Sequence, residues 1–383
     1  MRPEENYPEY MEEHVLPCIL PHREERYLSR EPGQPIYCAF YTADVHASGR
    51  HEGNSGGDAG NRSVSGANGI ILISHGFTET ADKYFEVICY FLKAGYHVCI
   101  PEHCGHGRSY RLADGDFSLV YTDSWQRYVN DLSFVAQAAK SYWEQGLPLF
   151  LFAHSMGGGI GAALAAREPR LFQKIVLSSP MICPCTGQVP WAVSKLIVAV
   201  MCAVGKEKSY VIGQHAYDGK ETFEESFATS PARHAWYKSR TDAEPLYQTY
   251  AASYGWLREA IRLNRFLIND AWKQISAPLL LVQAEKETVV SKEQQELFIR
   301  RLARARQLPD PVTDTHSAPD SAQASPSTVR FVRIPGAKHE IFRSDDATVE
   351  KFLKLCLDMF DPRQTGAVRT ADAPQNRPSP QIP

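Results

Sequence analysis

Residues 147–166 read Leu-Pro-Leu-Phe-Leu-Phe-Ala-His-Ser-Met-Gly-Gly-Gly-Ile-Gly-Ala-Ala-Leu-Ala-Ala, and they join two different periodicities. The run from Leu149 to Ala153 is continuously apolar and of strand length, which is typical of a parallel strand buried on both faces. From Gly157 onward hardly any side chain is larger than alanine, which favours a helix packed closely on a sheet. Ser155 lies where the two meet, so this stretch predicts a nucleophile elbow.

The elbow differs in one position from the usual pattern G-x-S-x-G. It reads Ala153-His154-Ser155-Met156-Gly157, with the smallest side chain in place of the first glycine. An incidental serine in a glycine-rich turn is the alternative, and this segment alone leaves it open because a motif needs structural context.

A second strand–turn–helix unit precedes the elbow. Ile70 to Ser74 is a predicted strand that leads into His75-Gly76-Phe77 and then an amphipathic helix. In acyl-transfer enzymes built this way, the loop after such a strand supplies one backbone N–H to the oxyanion hole and the residue after the nucleophile supplies the other. The predicted donors are therefore the N–H groups of Phe77 and Met156.

Further strands and helices alternate along the chain and predict an α/β protein with a mostly parallel central sheet flanked by helices. Asp123 and Gln126 have the spacing of a capping box before a long helix, and Ser291 and Gln294 have it before another. The other predicted strands are an antiparallel hairpin, Arg26–Ser29 with Pro35–Tyr41, followed by His97–Pro101, Lys174–Leu177, Pro278–Val282 and Val329–Ile334.

Changes in the residue pattern along the chain also predict how it is divided into segments. No strand pattern appears between residues 183 and 265, where 191–204 and 254–267 look helical, so this segment is predicted to be a helical cap over the site. Two polar stretches, one with almost no large apolar side chain and one with repeated Pro, Ser, Thr, Asp and Ala, are predicted to be flexible. The predicted division is an N-terminal extension without clear periodicity (1–22), a first core part (23–182, with a flexible loop at 45–68), the cap (183–265), a second core part (266–361, with a flexible insertion at 308–328) and a disordered tail (362–383).

One face of the first cap helix is apolar. It carries Leu196, Val200 and Val204, which could bind substrate by lining an acyl channel. Packing of cap against cap is the favoured alternative, because apolar helix stripes are usually core.

Composition excludes several classes of protein. The net charge is −3 over 383 residues and no basic block is present, so no nucleic-acid partner is expected. The nine cysteines are scattered, which favours reduced thiols over a disulfide framework. The acidic N-terminus has no apolar signal region and no apolar run approaches the roughly 18 residues of a membrane span, so we expect a cytoplasmic protein.

One short segment contains three potential zinc ligands, His103, Cys104 and His106, so a zinc site is an alternative to consider. Structural zinc needs four ligands at recognisable spacing, and no second cluster supplies them. A glycine-rich loop near the mouth of the site is the preferred interpretation. We expect no metal and no cofactor.

Three predicted strand ends carry a serine, an acid and a histidine, in that chain order. Ser155 is a poor nucleophile unless a base takes its proton, an imidazole such as His339 can do so, and a carboxylate orients that imidazole. Glu287 is the preferred acid because it stands just before Thr288 and a Val-Val pair, and Glu285 is the reserve.

These motifs resemble those of bacterial lysophospholipases of the PldB type and, more distantly, monoacylglycerol lipases of the α/β-hydrolase superfamily, over roughly residues 20–360. The resemblance is carried by residues 153–158, 105–109, 283–290 and 336–341, whereas the loops at 45–68 and 308–328 are departures from it. It implies an α/β-hydrolase fold and hydrolysis of a single-acyl lipid ester, with peripheral contact between the cap and the inner face of the membrane as one option.

Two other functions stay open at this point. One is a short-chain carboxylesterase. The other is a non-catalytic ligand-binding protein on the same fold, because this fold hosts many functions.

Overall fold

The computed structural model describes residues 3–44, 66–113, 115–187, 189–312 and 328–361. Its centre is an eight-stranded sheet in the order β1-β2-β4-β3-β5-β6-β7-β8. The strands are β1 (Arg23–Ser29), β2 (Pro35–Tyr41), β3 (Gly69–Ser74), β4 (Tyr96–Pro101), β5 (Leu149–His154), β6 (Lys174–Ser178), β7 (Leu279–Ala284) and β8 (Val329–Ile334).

The sheet is antiparallel only at one edge. β1 pairs with β2, and β2 with β4, in antiparallel register, and the remaining neighbours are parallel. The predicted hairpin and the mostly parallel sheet are therefore confirmed. The two strands beside the elbow, β3 and β6, are fully buried like β5 itself, as expected for strands covered on both faces.

Helices cover both faces of this sheet and bury one apolar core on each. The longer α-helices of the described residues are α1 (Phe85–Lys93), α2 (Trp125–Tyr142), α3 (Ser155–Arg167), α4 (Trp191–Ala203), α5 (Pro231–Ala243), α6 (Tyr254–Asn269), α7 (Lys292–Ala305) and α8 (Asp346–Phe360).

Of the two predicted helix N-caps, one is confirmed and the other is shifted by one residue. The Ser291 hydroxyl accepts a hydrogen bond from the Gln294 N–H at 3.2 Å, which confirms that cap. The N-cap of α2 is Ser124 rather than Asp123, since Ser124 has extended backbone angles and accepts from the Gln126 N–H. Asp123 instead pairs with Arg127 one turn on, so the prediction was wrong by one residue.

The N-terminal extension was predicted to have no clear periodicity, and the structure corrects this. Residues 3–22 form consecutive helical turns, including a π-helical turn over Met11–Val15. Four side chains at a strict spacing of four are buried: Tyr7, Met11, Val15 and Ile19. A spacing of four drifts around an ordinary α-helix, and the wider π turn keeps these side chains closer to one face.

In the described part of residues 183–265, for which we keep the name cap, the structure has one α-helix more than predicted. α4 and α6 were expected, but α5 is polar on most of its surface and has no apolar stripe that a periodicity search detects. Ser230 caps it, accepting from the Arg233 N–H. A two-residue parallel pairing of 119–120 with 251–252 ties the cap to the core and was also missed, because it is too short to have a pattern.

The predicted flexible and disordered stretches fall mainly outside the described residues. Only 66–68, 308–312 and 328 of the two loops are described, and the predicted tail at 362–383 lies outside the described residues. The proposed division into core and cap stays a prediction. No helix in the described part of the chain is both long and apolar enough to cross a membrane.

Candidate active site

The turn between β5 and α3 has the geometry of a nucleophile elbow. Ser155 has a φ of 50°, a left-handed conformation that non-glycine residues seldom adopt. A Cβ at Gly157 would overlap the carbonyl oxygen of Ser74, so this position requires glycine. Ala153 is tolerated where the motif usually has glycine because Gly161 faces it across the strand–helix contact, where an added Cβ would lie only 3.2 Å from the Ala153 Cβ.

The structure brings Ser155, His339 and Glu287 together. His339 Nε2 lies 2.8 Å from Ser155 Oγ, and His339 Nδ1 lies 2.7 Å from Glu287 Oε2. All three residues are buried. Each follows the carboxyl end of a parallel strand, which places them at one edge of the sheet. This hydrogen-bonded series of hydroxyl, imidazole and carboxylate is the arrangement that activates a serine.

Glu287 is held by both of its oxygens. Besides the contact with His339, Oε1 accepts the N–H groups of Val289 at 2.8 Å and Val290 at 3.3 Å. Burial pushes the pKa of this carboxyl upward, but the charge of His339 and these hydrogen bonds outweigh burial, so the pKa lies below its ordinary value. Glu287 is therefore a carboxylate at neutral pH.

Glu285 is directed elsewhere. It is exposed, and its Oε2 accepts the Gly336 N–H at 2.7 Å, which ties the loop after β7 to the loop after β8. Of the two acids weighed from the sequence, Glu287 is the one in contact with the imidazole.

The two predicted oxyanion donors flank the elbow. Phe77 lies in the loop after β3 and Met156 in the first turn of α3, and neither N–H donates a hydrogen bond to another described residue. The preceding residue, Gly76, donates its N–H to Glu79 Oε2 at 2.6 Å, and the Tyr84 hydroxyl donates to the same oxygen at 2.5 Å. Glu79 therefore fixes the shape of the loop that carries Phe77.

Glu79 was not singled out from the sequence, because single acidic residues are common at the N-terminal ends of helices. In the structure it is buried and lies 2.9 Å from Lys83 Nζ, which also contacts Glu340. Burial alone would raise the pKa of Glu79, but Lys83 and then His154 lower it to about 2. Arg343 pairs with Glu340 and completes this buried ionic group.

The two histidines of the discounted zinc motif each lie within hydrogen-bonding distance of another polar atom in the protein interior. His103 Nε2 lies 2.9 Å from Ser74 Oγ, and His106 Nδ1 lies 3.1 Å from the carbonyl oxygen of Cys104. Burial lowers the pKa of both imidazoles, which are neutral at pH 7. Within the described ranges no group of three or more His, Cys, Asp or Glu residues could hold a metal ion.

The expected acyl-channel residues are not in a channel. Leu196, Val200 and Val204 are 65%, 52% and 63% exposed. These side chains are not packed within the cap either, although that was the favoured alternative. The buried side of α4 carries Ser194 and Val198 instead, so the stripe that a periodicity search finds is the outward one.

A cavity of about 590 Å³ lies between the cap and the core. Thr78 and Glu340 line it, and these residues directly follow Phe77 and His339. Phe227 also lines it, and its ring centroid is 6.1 Å from that of His339. The cavity therefore opens beside the triad.

A mostly parallel sheet that carries this elbow, with acid and histidine on later strand ends, defines an α/β-hydrolase. The chain belongs to the Hydrolase_4 family, described as serine aminopeptidase, S33, whose model matches residues 65–309. The matched range includes Ser155 and Glu287, and His339 follows it.

The chain is similar to curated lysophospholipases and monoacylglycerol lipases. The chain is 25% identical to lysophospholipase L2 of Escherichia coli (strain K12) over 303 residues, which are 76% of this chain and 80% of that protein. It is 29% identical to the monoacylglycerol lipase of Mycolicibacterium smegmatis over 61% of this chain and 76% of the relative.

Solved structures share the fold. A soluble variant of monoglyceride lipase from Saccharomyces cerevisiae, in complex with a substrate analog, superposes with a TM-score of 0.62 at 18% identity, covering 90% of this chain and 96% of that one. A thermostable carboxyl esterase from Bacillus coagulans also has a TM-score of 0.62, at 16% identity, covering 88% and 99%.

Proposed function

We propose that this protein hydrolyses the carboxylic ester of a single-acyl lipid, a lysophospholipid or a monoacylglycerol, through a Ser155–His339–Glu287 triad. The observation that carries the proposal is the pair of contacts on the two nitrogens of His339, 2.8 Å to Ser155 Oγ and 2.7 Å to Glu287 Oε2. The substrate class rests on the names of the relatives, which act on these two kinds of lipid.

In the first half of the reaction, Ser155 Oγ attacks the ester carbonyl carbon while His339 Nε2 takes the hydroxyl proton. The carbonyl oxygen becomes an oxyanion and accepts the N–H groups of Phe77 and Met156. The carbon–oxygen bond to the alcohol then breaks, and His339 returns its proton to the leaving oxygen. The products of this half are a free alcohol and an acyl ester on Ser155.

In the second half, a water molecule takes the place of the alcohol. His339 removes a proton from the water as its oxygen attacks the acyl carbon, and the bond to Ser155 Oγ breaks as that oxygen regains a proton. Throughout, the carboxylate of Glu287 stabilises the imidazolium form of His339. The fatty acid leaves and the free enzyme is restored.

Product analysis tests the proposal. Purified protein is incubated with 1-monooleoylglycerol and with oleoyl lysophosphatidylcholine, and oleate release is measured by mass spectrometry alongside Ser155→Ala. We expect oleate from the wild type and none above background from the variant. Undiminished release by Ser155→Ala would overturn the mechanism.

Two further measurements separate the alternative functions. A nitrophenyl ester series from acetate to laurate gives rising kcat/KM with chain length for a lipid hydrolase, and a maximum at the shortest chains would identify a short-chain esterase. A fluorophosphonate probe should label the wild type and not Ser155→Ala. An unlabelled wild type would favour a non-catalytic binding protein.

We also propose that the cap contacts a lipid surface through α4. Exposed apolar side chains are normal singly, but Leu196, Val200 and Val204 form one stripe, and Lys206 and Lys208 follow it. Basic side chains beside an apolar helix face favour an anionic bilayer.

Co-sedimentation with phosphatidylcholine–phosphatidylglycerol vesicles tests this contact. Leu196→Asp with Val200→Asp should reduce the bound fraction severalfold. The matched control is Tyr27→Asp, which changes an exposed apolar side chain on β1 instead. Equal binding by wild type and the cap variant would refute membrane contact through α4.

A further inference from the structure

The cavity lies beside His339, the residue that protonates the leaving alcohol in the proposed reaction. His339 gives its proton to the leaving oxygen, so the alcohol must lie against His339 when the ester bond breaks. Phe227, whose ring centroid is 6.1 Å from that of His339, and Glu340, the residue after His339, both line the cavity, so it lies beside this imidazole. Its occupant is therefore the alcohol part of the substrate, the head group of the lipid.

The lining of the cavity is unsuited to an acyl chain. Its charged side chains comprise four cations and four carboxylates: Lys83, Lys220, Lys238 and Arg343, with Asp218, Glu221, Glu225 and Glu340. A balanced set of charges of both signs favours an occupant that also carries both signs. At about 590 Å³ the cavity is within the usual range for ligand pockets, about 300–1,000 Å³, and it is larger than free glycerol requires.

Glu221 differs from the other charged side chains of the cavity in its contacts. Lys83 and Arg343 pair with Glu340, Lys220 pairs with Asp218, and Lys238 pairs with Asp242. Glu225 accepts the Thr222 N–H at 3.0 Å. Within the described part of the chain Glu221 accepts no hydrogen bond and forms no ion pair, although it is half-buried. Burial raises the pKa of its carboxyl, and the charges of Lys83, Arg343 and Lys238, none of which pairs with it, offset only part of this rise.

Two tyrosine rings lie near Glu221. The rings of Tyr217 and Tyr250 line the cavity with centroids 5.7 Å apart at an interplanar angle of 73°. Burial raises the pKa of both hydroxyls; Asp242 and then Glu221 add to the rise at Tyr217, and Glu221 adds to it at Tyr250. Aromatic faces beside a carboxylate are the chemistry that binds an ammonium group.

His234 supplies a second polar group without a partner. It is only 6% exposed, it lines the cavity, and its imidazole makes no hydrogen bond with any described residue. Burial and then the charge of Arg343 lower its pKa, so the ring is neutral at pH 7. A neutral imidazole has one N–H donor, which suits an oxygen of a phosphate ester.

We infer that this cavity binds the zwitterionic head group of a lysophospholipid, with its ammonium between Glu221 and the Tyr217 and Tyr250 rings and its phosphate against His234. The inference rests on the proposed function and narrows it: the preferred substrate carries a phosphoethanolamine or phosphocholine head rather than glycerol alone.

The first test measures a ratio of specificities. The kcat/KM for oleoyl lysophosphatidylethanolamine is divided by that for 1-monooleoylglycerol, which cancels any effect on the triad or on the acyl site. Glu221→Gln should lower this ratio about tenfold, since it removes one desolvated charge contact. The matched control is Glu224→Gln, an exposed acid three residues on that does not line the cavity, and it should keep the wild-type ratio. An unchanged ratio in Glu221→Gln, or an equal fall in Glu224→Gln, would overturn the inference.

The second test needs no turnover. Calorimetry measures binding of glycerophosphoethanolamine, the head group without its acyl chain, to Ser155→Ala. We expect binding that weakens about tenfold when Glu221→Gln is added, and free glycerol should not compete. Equal affinity with and without Glu221 would refute the head-group site even if the wild type hydrolyses lipids. Head-group binding together with no oleate release from any lipid would instead refute the proposed function.

Discussion

Ser155 and His339 are 184 positions apart in the chain, yet His339 Nε2 lies 2.8 Å from Ser155 Oγ. The contact is made because both residues follow parallel strands of one sheet, β5 and β8, whose carboxyl ends share an edge. Because His339 also contacts Glu287, the three side chains are expected to act as a unit.

The single variants Ser155→Ala and His339→Ala should each reduce nitrophenyl ester hydrolysis to nearly the same residual rate. The double variant should be little slower than either, because removal of one member already disables the other. Steady-state kcat gives the comparison. Losses that multiply in the double variant would mean that the two residues act independently.

Glu287→Gln should lower kcat by on the order of 10⁴, as the analogous carboxylate-to-amide change does in a serine protease with a buried triad acid. The amide keeps the size of the side chain but loses the charge that orients and stabilises the His339 imidazolium.

Glu285→Gln is the matched control, two positions away in the same loop, where the side chain accepts only the Gly336 N–H. It should change kcat by no more than a few fold. If Glu285→Gln loses activity and Glu287→Gln keeps it, Glu285 is the triad acid. If both variants keep activity, the acid comes from another part of the chain.

Ser155→Gly should be more stable to urea than Ser155→Ala by about 1 kcal/mol. The φ of 50° at this position is strained for any side chain with a Cβ, and glycine adopts it without that cost. Urea unfolding of the two inactive variants measures the difference. An alanine variant as stable as the glycine variant would mean that the elbow is not strained.

Acidification should destabilise the protein partly through Glu79. Its pKa is lowered from 4.5 to about 2 in the folded state, so the stability it contributes is complete above pH 4.5 and is lost as the pH falls toward 2. Between pH 5 and pH 3, Glu79→Gln should lose about 2 kcal/mol less unfolding free energy than the wild type. Glu12→Gln, an exposed acid, should behave like the wild type, and an identical loss in Glu79→Gln would contradict the pKa.

Met11→Ala should lower the unfolding free energy by about 2–5 kcal/mol, because it removes a buried side chain of the N-terminal segment. The neighbouring Glu12→Ala changes an exposed side chain and should cost less than about 0.5 kcal/mol. Urea unfolding distinguishes them. Equal effects would show that the N-terminal segment does not pack on the core in solution.

Much of the site could be predicted from the sequence because its signals are local. Leu149–Ala153 is apolar at every position, and the small residues after Ser155 are required by a close helix–strand contact that Gly157 makes in the structure. The order of Ser155, an acid and His339 at three strand ends followed from the same alternation. Those features depend on neighbours in sequence, which a periodicity reveals.

Tertiary structure decided what depends on neighbours in space. Both Glu285 and Glu287 follow β7, and only the path of the loop turns one toward His339 and the other toward Gly336. A stripe such as Leu196 with Val200 shows that a helix has two faces, but not which one meets the protein. Glu79 acquires its role from the Gly76 N–H and from Lys83, and Glu221 from the absence of such a partner among the described residues. The sequence alone determined the main strands and helices of the core and the chemistry they carry, but not α5 or the helical N-terminal segment. The packing of these elements determined which polar groups meet, because a side chain's partners lie on segments far away in the chain.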